Sequence, residues 1–345
     1  MSASPPPERP RPWEGTGRRL AKHVAAACLH AALRCSARRA GVALLYHGID
    51  ERRGNPFQEL VPGVRPALFA EHVGHLRRRY EVVTASELPA AVARRRRGRR
   101  FPVAVTFDDE HHNHRPVAAS SLERAGLRGT FFLTGSAMSE PRRFWWERLQ
   151  DAFDRGLLDE DLLARVPDRV AEAARTGSIR ATGDAVTQVS PPERDEISRL
   201  LGEALGPDPP ESGMRREDIR ALAQAGHEIG FHTLRHDFLP NLEQRALEGV
   251  MVDGRDELGE VAGRRLTSLA YPSGGVDDRV AAAAKAAGFS TAYSTRQLPV
   301  RPGSDPWRLG RIAAPYDNLG QLALDIVRTL SRQHERKPRG RLAPS

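Results

Sequence analysis

Two short segments of this chain carry side chains that could hold a metal ion and activate water. The first is the pair Asp108-Asp109, which ends an apolar run that begins at Phe101. The second contains His232 and His236, four residues apart, after another strand-like run. On a helix, or in a tight turn that enters one, this spacing points both imidazoles the same way, as two ligands of one metal require. One aspartate and two histidines would leave a coordination position open for water, and the second aspartate would be free to act as a base.

Each segment also has an explanation that involves no metal. A pair of aspartates at a strand end is often a helix cap or a solvated turn. Two histidines at this spacing are often satisfied by local hydrogen bonds. The segments are informative together because both follow a predicted strand, and strand ends are where α/β barrels build their active sites. We therefore treat them as one candidate metal site.

These segments and several others resemble the polysaccharide deacetylases, the metal-dependent N-deacetylases of carbohydrate esterase family four. Residues 44–49 (LLYHGI) resemble the strand that opens many members, and residues 68–76 resemble the segment after it. Residues 129–133 (GTFFL) resemble the strand after the paired aspartates, and residues 271–274 (YPSG) resemble the third motif. The matches extend in order over residues 41–326.

The resemblance implies a role for each residue of the candidate site. Asp109, His232 and His236 would bind a divalent metal, with Zn²⁺ expected, although the same donors also suit cobalt, nickel or iron. Asp108 would be the catalytic base that takes a proton from the attacking water. A backbone N–H near Ser273 would help to stabilise the oxyanion, which makes Ser273 the second predicted catalytic residue. The products would be acetate and a free amine.

The chain departs from the family pattern at three points. Glu110 replaces the usual glycine after the aspartates, and it either reaches the substrate or, as we favour, points outward as an acid at a helix N-terminus. Ala270 replaces the arginine that orients the base, and Arg308 and Arg311 are candidate substitutes. The histidine of the fifth motif is not evident, and His334 lies in the presumed tail, so the general acid is left open.

Strand-like and helix-like segments alternate from Val42 onward, which predicts a parallel sheet with helical crossovers. The resemblance implies the α/β fold of the family, an incomplete (β/α) barrel of about seven parallel strands. The predicted strands are 42–46, 82–84, 103–107, 129–133, 228–231, 266–270, 291–294 and 309–313. The predicted helices are 67–79, 86–97, 115–125, 216–225, 243–262, 277–287 and 319–330.

Three further regions flank or interrupt the predicted barrel of residues 41–330. Residues 1–40 are expected to form a helix after a disordered start over 1–16, and residues 331–345 a basic tail. Residues 140–212 contain helical patterns without a convincing strand, which predicts a helical insertion.

Aromatic side chains open that insertion at Trp145 and Trp146. We favour a structural role in which the two indoles are buried and anchor the insertion. The alternative is a lid whose rings stack on a sugar. On that alternative, Trp145 and Trp146 join Glu110 and Tyr271 as candidate substrate-binding residues.

Composition limits the possible partners. The chain has 345 residues and a net charge of +9, but only three of its 53 basic residues are lysines, which indicates coding bias towards arginine. Basic and aromatic residues do not alternate as in single-strand-binding proteins, so no nucleic-acid partner is predicted.

Cys28 and Cys35 imply no disulfide framework. No apolar run reaches the length of a transmembrane helix. The oligomeric state is not readable.

The N-terminal segment bears on localisation. Arg18-Arg19 before an alanine-rich stretch resembles a twin-arginine export signal. His23, His30 and Arg34 interrupt that stretch, which favours an amphipathic helix packed on the domain. We expect a cytoplasmic protein, with export as the alternative.

The sequence thus predicts a metal-dependent hydrolase that removes an N-acetyl group from an amino sugar or a sugar-containing metabolite. One alternative is an amidohydrolase that acts on a non-sugar amide with the same metal and base. The other is a non-catalytic carbohydrate-binding barrel. The missing arginine and histidine favour the last alternative, and the retained ligands and base disfavour it.

Overall fold

Eight short, buried strands form one parallel sheet. The structure is a computed structural model, and it describes residues 12–51, 59–138 and 143–332. The strands are β1 (Val42–Tyr46), β2 (Glu81–Val83), β3 (Pro102–Asp108), β4 (Thr130–Leu133), β5 (Glu228–Phe231), β6 (Ser268–Ala270), β7 (Thr291–Tyr293) and β8 (Arg311–Ala313). All eight predicted strands are confirmed, with ends that differ by a few residues.

The strands curve into a nearly closed barrel with the order β7-β6-β5-β4-β3-β1-β8. Strand β2 pairs with the first half of β3, and β4 pairs with the second half. A parallel bridge between Tyr293 and Leu309 brings β7 to the segment that leads into β8. The Leu309 N–H donates to the Ala292 carbonyl at 3.0 Å, and the Ser294 N–H donates to the Leu309 carbonyl at 2.8 Å. The predicted (β/α) barrel of seven parallel strands is confirmed.

Helices cover the outside of the barrel because each parallel connection needs a crossover. The main apolar core lies between strands and helices and includes Phe69, Phe107, Phe131 and Phe231. The α-helices of the described residues are α1 (Pro12–Arg34), α2 (Pro66–Arg79), α3 (Leu88–Arg94), α4 (Ser120–Arg124), α5 (Trp145–Asp154), α6 (Glu160–Leu163), α7 (Asp168–Arg175), α8 (Ile179–Thr187), α9 (Pro191–Leu205), α10 (Arg216–Gln224), α11 (Gln244–Val250), α12 (Arg255–Ala262), α13 (Asp278–Ala286) and α14 (Leu319–Ser331).

The described part of the insertion of residues 140–212 contains five helices, α5 to α9. Its helices α5 to α9 enclose an apolar core of their own, to which Leu149, Val170, Ile179 and Leu200 contribute. The sequence did not reveal α7 and α8, because short helices rich in alanine and charge carry little periodic signal. The insertion is therefore a small folded unit attached to the barrel.

One predicted helix is divided. The periodicity over 243–262 predicted a single helix, but α11 ends at Val250 and α12 begins at Arg255. Gly254 lies between them with φ 76°. A Cβ on Gly254 would meet the Cα of Gly135 at 3.0 Å, so the backbones cross too closely for another residue. A close approach of this kind is invisible to periodicity.

The N-terminal helix α1 begins at Pro12, within the stretch expected to be disordered, and packs along α14. Lys22 donates a hydrogen bond to Gln321 across this contact at 2.6 Å. Cys28 and Cys35 are both exposed free thiols. Among the described residues, no helix is both long and apolar enough to span a bilayer. Residues 1–11 and 333–345, which include His334, lie outside the described residues.

Candidate metal centre and active site

The carboxyl ends of the barrel strands bring the predicted residues together. Asp108 is the last residue of β3, and Asp109 follows with φ 66°. His232 follows β5, and the turn that leads from it contains Thr233 and His236, whose φ values are 64° and 57°. A positive φ is rare for residues other than glycine and often marks a functional site.

Asp109, His232 and His236 form a cluster with metal-ligand spacing. The Asp109 Oδ1 lies 3.6 Å from the His232 Nε2 and 3.7 Å from the His236 Nε2. One candidate ligand atom from each of the three residues lies within 4.8 Å of the others. These separations suit donors around one ion better than direct hydrogen bonds, which are shorter.

The surroundings of this cluster fit a cation. The His232 Nδ1 hydrogen-bonds to the Ala270 carbonyl at 2.8 Å, and donation from this nitrogen leaves Nε2 with a lone pair towards Asp109. The Asp109 Oδ1 is buried and accepts no hydrogen bond from any described residue. Burial raises the pKa of Asp109 well above its usual value. Burial also lowers the pKa of both His232 and His236, which favours the neutral imidazoles that metals bind. A cation at this position would stabilise the Asp109 carboxylate.

Asp108 is bound by Arg311 from β8. The Arg311 Nη1 lies 2.5 Å from the Asp108 Oδ1, and Nη2 lies 2.7 Å from Oδ2. Both side chains are buried. Burial alone would raise the pKa of Asp108, but Arg311 and the nearby His232 hold it well below its usual range. Arg311 thus lies where it could orient Asp108, which Ala270 cannot do. Arg308, the other candidate, pairs instead with Asp278 at the surface.

His47 is a further imidazole at this end of the barrel. It follows β1 directly and is partly buried. Burial lowers the pKa of His47 to about 4, and the charge of Asp108 opposes this shift. Asp108, Arg311 and His232 lie near enough for their charges to act on the ring. In the sequence, the one sign of this position is a histidine directly after a predicted strand, and the motifs give that histidine no role.

The residues after Asp109 are not arranged as expected. Glu110 does not point outward, because it is buried and accepts hydrogen bonds from the Thr134 N–H at 3.2 Å and the Thr134 hydroxyl at 2.6 Å. It therefore ties the end of β3 to the end of β4. The His111 Nε2 lies 3.8 Å from the Asp109 Oδ2, while the His111 Nδ1 lies 3.5 Å from Glu147 of the insertion.

The segment of the third motif divides into a buried and an exposed part. Tyr271 is fully buried, and its hydroxyl donates to the Trp307 carbonyl at 2.8 Å. The structure therefore corrects the expectation that Tyr271 contacts substrate, because the side chain is buried and its hydroxyl already has a structural partner. Ser273 is exposed in a short turn with φ 53°, beside Gly274. Ser273 remains the candidate for the backbone N–H that would face an oxyanion.

Two aromatic residues of the insertion pack against the turn that carries His236. The ring centroid of Trp146 lies 4.5 Å from that of His236, and Phe144 stacks on Trp146 at 4.2 Å. Trp146 is 5% exposed. Trp145 faces the apolar core of the insertion and meets Trp146 edge-on at 5.5 Å. The two indoles therefore differ in position, and only Trp146 contacts a candidate ligand.

A cleft opens beside this site. It lies between the barrel, which contributes Gly48 and His111, and the insertion, which contributes Trp146 and Glu147. Insertions that leave from strand ends commonly border the active site of a barrel. Asp108, Asp109, His232 and His236 do not line it, and the cleft meets the site through His111, which lies 3.8 Å from Asp109, and through Trp146, which packs on His236.

Comparison with known proteins identifies the family. The family described as polysaccharide deacetylase matches residues 95–292, more than half of the chain. The chain belongs to the polysaccharide deacetylase family. The matched residues contain Asp108, Asp109, His232 and His236. They do not contain His47 or Arg311, which the fold brings to the same site.

Solved polysaccharide deacetylases have a similar fold. The deacetylase PplD of Streptococcus pyogenes, solved in complex with acetate, has a TM-score of 0.57 and 15% sequence identity over 84% of this chain and 99% of that chain. IcaB from Ammonifex degensii has a TM-score of 0.55 and 18% identity over 83% of this chain and 97% of that chain. Identities this low support the fold alone.

A curated gellan lyase from Bacillus sp is 36% identical over 97 residues. The match covers 25% of this chain but only 4% of that protein, so the chain spans a small part of this relative.

Proposed function

We propose that this protein is a metal-dependent N-deacetylase that hydrolyses the acetamide of an amino sugar or a sugar-containing metabolite. The observation that best supports this function is the cluster of Asp109, His232 and His236 beside Asp108 in a chain of the polysaccharide deacetylase family. A buried carboxylate oxygen without a hydrogen bond from the described residues supports a cation there. Imidazole and carboxylate donors suit Zn²⁺.

Asp109, His232 and His236 would hold the cation, which when bound would supply a Lewis acid for water and for the acetamide oxygen. Asp108 would take the proton of the attacking water. Its two hydrogen bonds to Arg311 keep it ionised and fix the direction of its oxygens. The backbone near Ser273 would face the carbonyl oxygen as negative charge develops on it.

The departing amine needs a proton, and His47 is our candidate donor. It belongs to neither the ligand set nor the Asp108–Arg311 pair, yet the charge of Asp108 acts on its ring. Its pKa of about 4 leaves the imidazole neutral at neutral pH, so it would have to receive the proton that Asp108 takes from the attacking water before it donates one to the amine. Negative charge on the substrate during attack would favour protonation of His47. This assignment supplies the general acid that the motifs left open.

A non-catalytic carbohydrate-binding barrel is the weaker alternative. Its support was the missing arginine at Ala270 together with the missing histidine of the fifth motif, and Arg311 weakens the first of these because it binds Asp108 from another strand. The alternative of a non-sugar amide uses the same metal and base, so a comparison of acetylated amino sugars with simple acetamides distinguishes it.

The test measures acetate release from N-acetylglucosamine oligomers and from simple acetamides after dialysis against a chelator and after addition of Zn²⁺ or Co²⁺. We expect acetate only with metal and faster release from the sugars. His232→Ala and His236→Ala should each lose bound metal and activity, because a three-ligand site loses a third of its donors. Full metal content in both variants, or metal-independent release, would contradict the proposal.

A further inference from the structure

The turn that carries the metal-ligand candidates needs support from outside itself. Thr233 and His236 both have positive φ values, which other contacts must maintain. The barrel holds the first part of the turn, because the Gly135 N–H donates to the Thr233 carbonyl at 2.9 Å and the Ser136 N–H donates to the Leu234 carbonyl at 3.0 Å. The part that carries His236 lies on the side of the insertion.

Arg194 of α9 reaches this second part. Its guanidinium hydrogen-bonds to the carboxylate of Asp237. The Nη1 of Arg194 also lies 3.5 Å from the His236 carbonyl oxygen. Arg194 is 8% exposed and Asp237 is 5% exposed, so solvent does little to weaken this ion pair. One planar guanidinium therefore fixes two consecutive residues of the turn.

The two histidines of the cluster are oriented by different parts of the chain. The ring of His232 is held by the barrel through the Ala270 carbonyl. The ring of His236 lies against Trp146, and the backbone of His236 lies against Arg194. Trp146 and Arg194 both belong to the insertion. Loss of a contact that orients a ligand typically costs about 10- to 100-fold in metal affinity.

The insertion presents Arg194 on a rigid helix. Ser190 caps the N-terminus of helix α9, and the Glu193 carboxylate accepts the Ser190 N–H at 2.9 Å in a capping box. Arg148 of α5 donates to the Ser198 carbonyl of α9 at 3.0 Å. The insertion's apolar core holds the two helices together. A folded unit can transmit position to the turn, which a loose loop could not.

We propose that Arg194 is a positioning residue for the ligand His236, so that barrel and insertion build the metal site jointly. The proposal rests on the metal-binding role of His236 proposed above. It implies that the insertion is more than a cover for the cleft, because its removal would disturb the ligand turn as well as substrate entry. A barrel with a short linker in place of residues 140–212 should therefore bind metal more weakly than the full chain.

The test compares Arg194→Met and Arg194→Lys with Arg175→Met in the full chain. Arg175 also binds a carboxylate of the same insertion, Glu160, through two hydrogen bonds of 3.1 and 2.7 Å, and this pair joins α7 to α6 and not to α9. Each metal-free protein is titrated with Co²⁺ against a chromophoric chelator, and its Co²⁺ absorption spectrum and thermal unfolding are recorded. The spectrum reports ligand geometry, which a change in stability alone would not alter.

We expect Arg194→Met to weaken Co²⁺ affinity roughly 10- to 100-fold and to change the spectrum. Arg194→Lys should recover part of the affinity, because it keeps the charge but not the paired geometry. Arg175→Met should keep wild-type affinity and spectrum, with at most a small change in melting temperature because the pair is exposed. Wild-type affinity and spectrum in folded Arg194→Met would overturn the proposal.

Two further variants keep the outcomes separate. If Arg194→Met does not fold, Asp237→Asn removes the charge of the partner at nearly constant shape, and unchanged Co²⁺ affinity and spectrum there would overturn the proposal. His236→Ala must lose Co²⁺ affinity if the site is as proposed. Wild-type protein that binds no Co²⁺ would overturn both proposals. Co²⁺ binding that depends on His236 but not on Arg194 would overturn only this one.

Discussion

Arg311 and Asp108 form a buried ion pair with two hydrogen bonds between strands that are not neighbours. Strand β1 separates them, and its Ala43 pairs with Arg311 on one side and Ala104 on the other. Asp108 lies four residues further along β3 than Ala104. The long arginine side chain spans this distance, with Thr106 beside its Nη1 at 3.3 Å. An orienting arginine can therefore come from β8 when Ala270 of β6 cannot supply it.

Replacement of Arg311 by methionine should damage both activity and stability. It leaves Asp108 buried without its cationic partner, which costs about 3–5 kcal/mol in comparable pairs. The pKa of Asp108 should rise, so less of the ionised base is present and its direction is lost. We expect kcat to fall by about 100-fold or more. Steady-state kinetics and urea unfolding measure the two effects.

Arg308→Met is the matched control for Arg311→Met. Arg308 pairs with Asp278 and Asp305 near the surface, so its loss should cost at most about 1 kcal/mol and leave kcat unchanged. Equal effects of the two substitutions would contradict the orienting role of Arg311.

Asp108 and Asp109 should respond differently to replacement by asparagine. Asp108→Asn removes the proposed base and should lower kcat by roughly 100-fold or more while metal is retained. Asp109→Asn removes the charged ligand and should lower metal content. Elemental analysis together with kinetics separates the two. Metal loss in Asp108→Asn alone would mean that the two roles are exchanged.

His47→Gln tests the proposed proton donor. Glutamine keeps a polar side chain of similar reach but cannot carry the proton of an imidazole. We expect metal content to be retained and kcat to fall by about 10²-fold or more on sugar acetamides. A substrate with a better leaving group, such as an acetylated nitroaniline, should recover part of the loss because it needs less protonation. An unchanged kcat on sugars would remove His47 from the mechanism.

Trp146 and Trp145 offer a pair of neighbouring substitutions with different expected results. Trp146→Ala removes the ring that packs on His236 and lines the cleft, so kcat/KM and metal affinity should both fall. Trp145→Ala removes a ring from the insertion's own core, so it should lower stability, by no more than about 3–5 kcal/mol, with little change in kinetics. The reverse result would favour Trp145 as the functional ring.

His72 should make stability depend on pH away from the active site. Burial lowers its pKa to about 3, and the adjacent His75 adds to the shift. The unfolded pKa is about 6.5, so below that pH the unfolded chain binds a proton that the native protein does not. The free energy of unfolding should therefore fall with decreasing pH between about 6.5 and about 3, by about 1.4 kcal/mol per pH unit from this group.

His72→Gln should remove this contribution while it can still hydrogen-bond to the Tyr46 hydroxyl, which lies 3.2 Å from the His72 Nδ1. Urea unfolding of both proteins at several pH values measures the difference between the two slopes. Parallel curves over this range would show that His72 does not titrate as described.

The sequence alone determined the strands, their alternation with helices and the set of metal-ligand candidates. These features depend on local patterns: apolar runs that end in polar side chains, and two histidines at a fixed spacing. Glycines after helices also act locally, and Gly126, Gly226, Gly263 and Gly288 all have the positive φ values expected of helix C-caps. The proposed ligands therefore needed no knowledge of the sheet closure.

Sequence reasoning was weaker where a side chain could turn in two directions. Glu110 was expected to point outward and Tyr271 to face a substrate, yet both have buried structural partners. A residue type at a strand end does not reveal which neighbour will meet it. That depends on which strands lie beside it in the barrel.

Only the tertiary structure decided which residues support the proposed catalytic set. Arg311 and Asp108 are 203 residues apart in sequence, and Arg194 and Asp237 are 43 apart across an insertion. Such pairs form because barrel closure and docking of the insertion bring distant side chains into one low-dielectric space, where unpaired charges are costly. No local pattern encodes that requirement. The sequence alone therefore gave Arg311 only as one of two candidates and gave no sign of Arg194.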